Sequence, residues 1–128
     1  MTALPLPPFT VTPEAGPGTA RLRLTGDLDY DTSGELARAA EECLAADPHL
    51  ADLHLDCAQL RLCDSMGVAT LLLIHRGATT RGVRLHVESP PPFLTRILDV
   101  TGIGHLFALG AHGQESAQER TDDGATPS

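Results

Sequence analysis

The sequence predicts an α/β domain of two layers, with helices mainly on one face of a four- to five-stranded, mixed but mostly parallel sheet. Three segments alternate strictly between apolar and polar residues, as half-buried strands do: ARLRLT, LHLDC and VRLHV. Helical patterns separate these segments, and such an order implies parallel pairing through right-handed crossovers. Because a sheet covered on both faces has continuously apolar strands, the alternation leaves much of one face open to water.

The first two strands are predicted close to the N-terminus. A short extended piece, Phe9–Val11, lies among prolines, which edge strands tolerate and central strands do not. A turn at EAGPG then leads into the alternating segment 20–25. We predict that residues 1–8 form a flexible N-terminus.

The first helix is predicted over TSGELARAAEECLAAD. It opens with Thr32 and Glu35 at the spacing of a capping box, and the dipeptide at 47–48 ends it. Four residues fall on one helical face and are predicted to be buried: Leu36, Ala40, Cys43 and Leu44.

Two further helices follow. One runs from about 65 to 81, with Gly82 beyond its end. The other is PFLTRILDVTG, with a proline at its start and Gly102 after it. Its apolar face is predicted from Phe93, Ile97 and Val100. A last short strand is predicted at 106–108, which gives the order β-β-α-β-α-β-α-β.

The composition restricts the function. The chain of 128 residues predicts one domain, and the net charge of −8, with nine scattered arginines and no lysine, argues against binding to nucleic acid. The longest strictly apolar run near the centre, 71–74, is far too short to span a membrane, and no signal peptide is indicated. Three cysteines without a CxxC pair indicate free thiols in a reducing cytoplasm.

The motifs of enzymes and cofactor-binding proteins are incomplete. Ser65 lies in CDSMG, which lacks the first glycine of the nucleophile elbow, and nothing in the sequence indicates a histidine base. The histidines and cysteines do not have metal-ligand spacing, and we interpret His54 and His86 as exposed strand residues. TGIGHLF lacks the third glycine of a nucleotide-binding loop. We therefore expect no enzyme activity, no metal and no cofactor.

Carboxylates follow two of the predicted strands. Asp27, Asp29 and Asp31 lie in GDLDYD after the first alternating strand, and Asp64 follows the second. Loops after parallel strands lie at the same edge of the sheet, where functional surfaces gather. The carboxylates suit a divalent cation, but they equally suit turns and helix N-caps, and the cap interpretation is favoured for Asp31.

The order of these motifs resembles the STAS family of sulfate transporter and anti-sigma factor antagonist domains. GDLDYDTSGEL precedes a helix and a strand, then LRLCDSMGVATLL follows, and RGVRLHVESPPPFLTRILDVTGIGHLF continues the match. The resemblance implies a STAS domain over 9–109, and it points to the stand-alone bacterial antagonists. The polar and acidic composition after that domain predicts a disordered acidic tail over 110–128.

In those antagonists the serine of D-S-x-G is the phosphoacceptor, which corresponds to Ser65. The resemblance implies phosphorylation by an anti-sigma factor that is itself a serine kinase, and reversal by a PP2C-type phosphatase. The unphosphorylated antagonist binds the anti-sigma factor and frees the sigma factor. A phosphate at a helix N-terminus is compatible with the fold. The implied partner-binding residues are Asp27, Asp29, Asp64, Ser65, Met66 and Gly67.

Three positions depart from the family pattern, and a second role stays open. Met66 replaces a second serine, Ala69 a second glycine, and Cys63 a bulky apolar residue. The alternative is a constitutive STAS subunit that docks on the ATPase of an ABC-type transporter. The polar face of the predicted strands suggests a monomer.

Overall fold

The computed structural model describes residues 9–110, and its elements follow the predicted order. The predicted flexible N-terminus, 1–8, and all but the first residue of the predicted disordered tail lie outside the described residues, and the domain bounds stay a prediction. The elements are β1 (Phe9–Gly16), β2 (Thr19–Leu28), α1 (Ser33–Ala46), β3 (Asp52–Cys63), α2 (Ser65–Thr80), β4 (Arg84–Glu88), α3 (Pro92–Thr101), a 3-10 helix at Gly104–Leu106, and β5 (Ala108–Gly110).

The five strands form one sheet in the order in which they occur in the chain. β1 and β2 are antiparallel, whereas β2 to β5 pair in parallel. Because right-handed crossovers that advance in one direction place their helices on one side, α1, α2 and α3 share a face of the sheet. The predicted fold class, a mixed and mostly parallel sheet with helices on one face, is confirmed.

β1 is an edge strand that contains Pro13 and ends in a tight turn. Gly16 pairs with Thr19, so that Pro17 and Gly18 occupy the two central turn positions. Gly18 has φ of 69°, a left-handed conformation that glycine adopts without strain. The turn predicted at EAGPG is therefore confirmed, and the strand before it extends beyond Val11 to Gly16.

The core lies between the sheet and the helical layer. All three alternating segments bury the predicted apolar residues, and Leu36 and Leu71 cover them from α1 and α2 without exposed surface. Each fully buried leucine contributes about 1.5–3 kcal/mol. The strand residues with no exposed surface are Leu22, Leu24, Leu28, Leu53, Leu55, Cys57 and Val87.

The three cysteines are free, as predicted. Burial, with a smaller contribution from the charge of Asp56, raises the pKa of the Cys57 thiol to about 12. Burial also raises the pKa of Cys43 at the rim of the core. Both thiols are therefore neutral and contribute to packing rather than to chemistry.

The start of α1 differs from the predicted capping box. Thr32 is the N-cap residue, but its side chain makes no capping hydrogen bond to the helix. Its hydroxyl instead donates to the backbone oxygen of Asp27 at 2.8 Å. The Thr32 hydroxyl that a capping box needs is therefore bonded to the preceding loop instead. Of the predicted buried face, Leu36, Ala40 and Leu44 are buried and Cys43 is half-buried.

α3 packs through a different stripe from the one predicted. Leu94 and Leu98 are buried, Phe93 and Ile97 are half-buried, and Val100 is 80% exposed. Both stripes have helical spacing, so the pattern alone did not distinguish them. Beyond the helix, the last strand begins at Ala108, two residues later than predicted, because 104–106 forms a 3-10 helix.

The open face of the sheet carries a network of charged and polar side chains. His54 and His86 stack on adjacent strands, with ring centroids 4.4 Å apart. His54 Nδ1 lies 2.6 Å from Glu88 Oε2, and Arg21 pairs with the other oxygen of that carboxylate. His86 Nε2 lies 2.7 Å from Asp52 Oδ1. These histidines are half-buried in the network rather than exposed, which corrects our prediction.

The two glycines of α2 have different surroundings, and substitution tests the packing of this helix. A Cβ at Gly67 would lie 2.8 Å from Cys63 Sγ and 2.9 Å from the backbone oxygen of Leu28, whereas one at Gly77 would meet only Leu44 Cδ1 at 3.7 Å. We expect Gly67→Ala to lower the free energy of unfolding by about 1–3 kcal/mol. We expect Gly77→Ala, the matched control, to raise it by about 0.5–1 kcal/mol. Urea denaturation measures both, and shifts in the same direction would contradict this account.

The carboxyl of Asp52 provides a test by pH. The hydrogen bond with His86 lowers its pKa, burial opposes this, and the charges of His86 and Arg84 lower it further. In the unfolded chain the pKa of an aspartate carboxyl is about 3.9. Because the pKa of Asp52 is lower in the folded state, the carboxylate stabilises the fold at pH values above the unfolded-state pKa. This stabilisation is lost as the pH falls through the folded-state pKa.

Asp52→Asn should therefore reduce the free energy of unfolding more at about pH 5.5 than at about pH 2.5. Urea denaturation at the two pH values measures the difference. Asp99→Asn, on the exposed side of α3, is the control for the loss of a carboxyl elsewhere. A loss in Asp52→Asn that is equal at both pH values would contradict the role of the hydrogen bond.

Candidate functional site

The carboxyl ends of β2 and β3 lie side by side. Asp27 pairs with Leu62 and Leu28 with Cys63 in the parallel register. One step later the backbone N–H of Asp64 donates to the backbone oxygen of Leu28 at 3.1 Å. The two acidic segments that the sequence placed at one edge of the sheet are therefore in contact.

Asp64 connects the loop after β2 to the start of α2. It is the N-cap of α2, and its Oδ1 accepts from the backbone N–H of Gly67 at 2.9 Å. Its other oxygen, Oδ2, accepts from the backbone N–H of Tyr30 at 3.1 Å. One carboxylate thus holds both segments, and the helix cap that the sequence suggested is present.

Asp29 shapes the loop that contains Tyr30. Its Oδ1 accepts from the backbone N–H groups of Asp31 at 3.0 Å and Thr32 at 3.2 Å. Its own N–H donates to the hydroxyl of Thr32 at 2.9 Å. Asp29 therefore forms the turn before α1, and the N-cap residue of that helix is Thr32 and not Asp31, which corrects the cap interpretation of Asp31.

Asp27 completes the acidic set, and its carboxylate pairs with an arginine. Arg61 Nε lies 3.4 Å from Asp27 Oδ1 at the surface. The carboxylates of Asp29 and Asp64 accept from backbone N–H groups, as described above. Among residues 9–110, no three His, Cys, Asp or Glu side chains are grouped to hold a metal ion. The hydrogen bonds of Asp29 and Asp64 therefore support the interpretation of these carboxylates as turn and cap residues.

Ser65 is the first residue of α2 and is exposed. Its hydroxyl makes no hydrogen bond to any described residue. The first N–H groups of a helix lack partners in that helix. Here the side chain of Asp64 accepts from the N–H of Gly67, and its backbone oxygen accepts from the N–H of Val68. The N–H groups of Ser65 and Met66 therefore remain available beside the hydroxyl, at the positive end of the helix dipole.

Three exposed apolar side chains belong to the segments around Ser65. Tyr30 is 74% exposed, Leu62 44% and Met66 42%. Met66 therefore lies on the exposed side of α2. Sequence reasoning missed Tyr30, the only tyrosine of the chain, although its position between acidic residues in a loop was a signal. It missed Leu62 because a register shift in β3 ends the strict alternation.

Cys63 lies beneath this surface and explains the glycine at 67. The thiol is buried, and burial, followed by the charge of Asp64, raises its pKa to about 11. A Cβ at residue 67 would overlap Cys63 Sγ and the backbone of Leu28. Gly67 is therefore required for the close approach of α2 to β2, and Cys63 is a neutral packing residue.

In the described part of the chain, no helix has the length and apolar character needed to cross a membrane.

Solved structures with this fold include several anti-sigma factor antagonists. An antagonist from Mycobacterium paratuberculosis is 21% identical with a TM-score of 0.70, over 81% of this chain and 86% of that chain. The antagonist SpoIIAA in its unphosphorylated form is 18% identical with a TM-score of 0.68, over 81% and 90%. The Bacillus cell fate determinant SpoIIAA in its phosphorylated form is 18% identical with a TM-score of 0.64, over 81% and 94%. At these identities the likeness concerns the fold.

Comparison with curated protein sequences gives no significant match. The family described as "Mlab, STAS domain" matches residues 11–109, which is most of the chain and nearly all of its described part. The chain belongs to the STAS domain family.

Proposed function

We propose that this protein is an anti-sigma factor antagonist that acts by partner switching. Its unphosphorylated form binds an anti-sigma factor that is a serine kinase, and this binding releases the sigma factor. Phosphorylation of Ser65 blocks the binding. The observation that carries the proposal is the exposed Ser65 hydroxyl, which has no partner among the described residues and opens α2. The antagonists of the same fold support the role.

In this proposal Ser65 is a substrate and not a catalytic residue. Its Oγ attacks the γ-phosphorus of ATP held by the kinase, the bond to the β-phosphate oxygen breaks, ADP leaves, and a base of the kinase takes the hydroxyl proton. A PP2C-type phosphatase hydrolyses the phosphoserine and restores the hydroxyl. The acceptor needs only exposure and freedom from internal hydrogen bonds, which Ser65 has.

A phosphate on Ser65 is compatible with the folded chain. The unpaired N–H groups of Ser65 and Met66 and the helix dipole favour an anion at the start of α2. The carboxylate of Asp64 is turned to the N–H groups of Gly67 and Tyr30, which disperse its charge. Phosphorylation is therefore expected to change the surface and leave the fold intact.

The same phosphate opposes docking of a partner. It adds about −1.5 to −2 charges beside Asp64 and near Asp27, and these charges must lose water when the interface closes. Every 1.4 kcal/mol of opposition lowers affinity about tenfold. A few kcal/mol are enough to switch a complex of micromolar or nanomolar strength.

The exposed apolar side chains supply the contact area for the partner. Aromatic side chains near the centre of an interface dominate binding energy, and Tyr30 is 74% exposed in the loop that Asp64 holds. Leu62 and Met66 extend the surface along β3 and α2. We add Tyr30 and Leu62 to the partner-binding set expected from the sequence, which is Asp27, Asp29, Asp64, Ser65, Met66 and Gly67. Gly67 contributes to it by letting α2 approach β2.

The second candidate is a constitutive STAS subunit that docks on the ATPase of an ABC-type transporter. The matching family is described as "Mlab, STAS domain" and not as an anti-sigma factor antagonist. We therefore retain this second role as a candidate. In that role the same surface binds an ATPase and the Ser65 hydroxyl does not regulate it. We propose a monomer that acts in the cytoplasm in either case.

Substitution of Ser65 distinguishes the two roles. With Ser65→Ala as bait, we expect retention of an anti-sigma factor that contains a kinase domain, because the hydroxyl is small and the surface is otherwise unchanged. With Ser65→Asp, we expect at least about tenfold weaker retention, because a charge enters the interface. Pull-down from native lysate with identification by mass spectrometry measures both, and intact mass of the native protein reports phosphate.

The matched control is Thr79→Asp, which adds the same charge near the exposed opposite end of α2. It should bind as the unmodified chain does. Equal retention of one partner by Ser65→Ala and Ser65→Asp would overturn the switch, and if that partner is an ATPase the transporter role is supported.

Truncation of the exposed apolar side chains tests the docking surface. Tyr30→Ala and Met66→Ala should each weaken the captured complex by about 1 kcal/mol or more. The free energy of unfolding should change by no more than about 0.5 kcal/mol, because both side chains are exposed. Val100→Ala is the control, since Val100 is an exposed apolar residue on α3. Titration calorimetry with the purified partner measures affinity, and equal losses in all three variants would contradict the assignment.

A further inference from the structure

A groove runs between α1 and α2 on the helical layer, and nothing in the role of Ser65 uses it. Its volume is about 580 Å³. The floor is apolar, and one of its members, Leu73, is 57% exposed on the middle of α2. The residues of the floor are Ala37, Ala40, Leu44, Leu73, Ile74 and Gly77.

Arginines surround this apolar floor. Arg38, Arg76 and Arg81 line the groove with a single acidic residue, Glu41. Arg81 pairs with Glu41 at 2.7 Å, whereas Arg38 and Arg76 are exposed and make no ion pair within residues 9–110. The groove is thus a basic surface on a chain whose net charge is −8.

We propose that the α1/α2 groove docks an acidic amphipathic helix of a partner protein. A helix laid in the groove buries its apolar stripe against Leu73 and the floor, as helix-in-groove complexes do. Its carboxylates then reach the guanidinium groups of Arg38 and Arg76, and arginine binds carboxylates with two parallel hydrogen bonds. The combination of an apolar floor and unpaired cations selects an acidic helix over a neutral or basic one.

Two other occupants fit the groove less well. The C-terminal residues 111–128 are acidic, but their only apolar residues are alanines, which supply little surface for the floor. A second copy of the chain on a two-fold axis presents the same surface on both sides, so it brings arginines against arginines.

The groove is separate from the Ser65 surface. Leu73 is eight residues along α2 from Ser65, or about 12 Å at the rise of an α-helix, and Gly77 is about 18 Å away. The inference therefore does not rest on the role proposed for Ser65. It implies that the chain holds an acidic helix at one end of α2 whether or not a partner occupies the other end.

A synthetic peptide tests the groove directly. The probe is a fluorescent peptide of about 18 residues with leucines on one helical face and glutamates on the other. We expect it to bind the full chain, to shift the NMR signals of α1 and α2 residues that line the groove, and to weaken as salt rises. The same peptide with lysine in place of glutamate, and one with the sequence scrambled, should bind at least about tenfold more weakly.

Variants of the chain complete the test. Arg38→Glu combined with Arg76→Glu should weaken binding of the acidic peptide by at least about tenfold. Arg96→Glu is the matched control, because Arg96 is the other arginine of the described part of the chain that is exposed and without an ion pair, and it lies on α3. Leu73→Ser should also weaken binding without loss of fold, because this side chain is exposed. Ser65→Asp should bind the peptide as the unmodified chain does.

Several results would overturn the proposal. One is no binding of the acidic peptide up to about 1 mM, and another is equal binding of the lysine or scrambled peptide. Shifts centred on Tyr30 or α3 would move the site elsewhere. If sedimentation shows that the chain dimerises and that Leu73→Ser abolishes the dimer, the groove is assigned to a second copy. If the chain binds vesicles that contain anionic phosphatidylglycerol, and Arg38→Glu combined with Arg76→Glu abolishes that binding, the groove is assigned to a membrane surface.

Discussion

The surface around Ser65 depends on the two oxygens of one carboxylate. Asp64 accepts from Gly67 in α2 and from Tyr30 in the loop after β2. Without it, two backbone N–H groups from different segments lose their partner at once, and each loss costs about 1–3 kcal/mol where water does not replace it. The helix start and the loop are therefore positioned as a unit. The surroundings of the Ser65 hydroxyl are therefore fixed, although it makes no hydrogen bond to another residue of the described range 9–110.

The Asp64 carboxylate lies at the N-terminal end of α2. Buried beneath it, Cys63 and Gly67 bring α2 against the backbone of Leu28, so the first N–H groups of the helix reach the same edge as the acidic loop. A positive helix end and a rim of carboxylates thus lie next to each other. In the proposed switch, a phosphate on Ser65 experiences mainly the helix end, whereas a partner meets that phosphate together with the carboxylates.

The strands were predictable from sequence because burial on one face imposes a period of two, and Leu22, Leu24, Leu53 and Leu55 obey it without exception. The cap at Asp64 was predictable because capping is local. Other features depended on competition between distant groups. Thr32 had a capping partner in sequence, but the loop before it used the hydroxyl. α3 had two apolar stripes, and only contact with the sheet and the last turn selected Leu94 and Leu98. The α1/α2 groove required two helices to be placed side by side.

The order of the strands in the sheet, identical to their order in the chain, has a consequence for how the molecule is made. Each strand pairs with the strand one connection away, so no step of folding requires the two ends of the chain to meet. The entropy of closing each loop grows only slowly with its length, and these loops stay short. Folding rates rise as contacts become more local. A chain emerging from the ribosome with its N-terminus first can add β3, β4 and β5 in turn to the β1–β2 hairpin, each with the helix that precedes it.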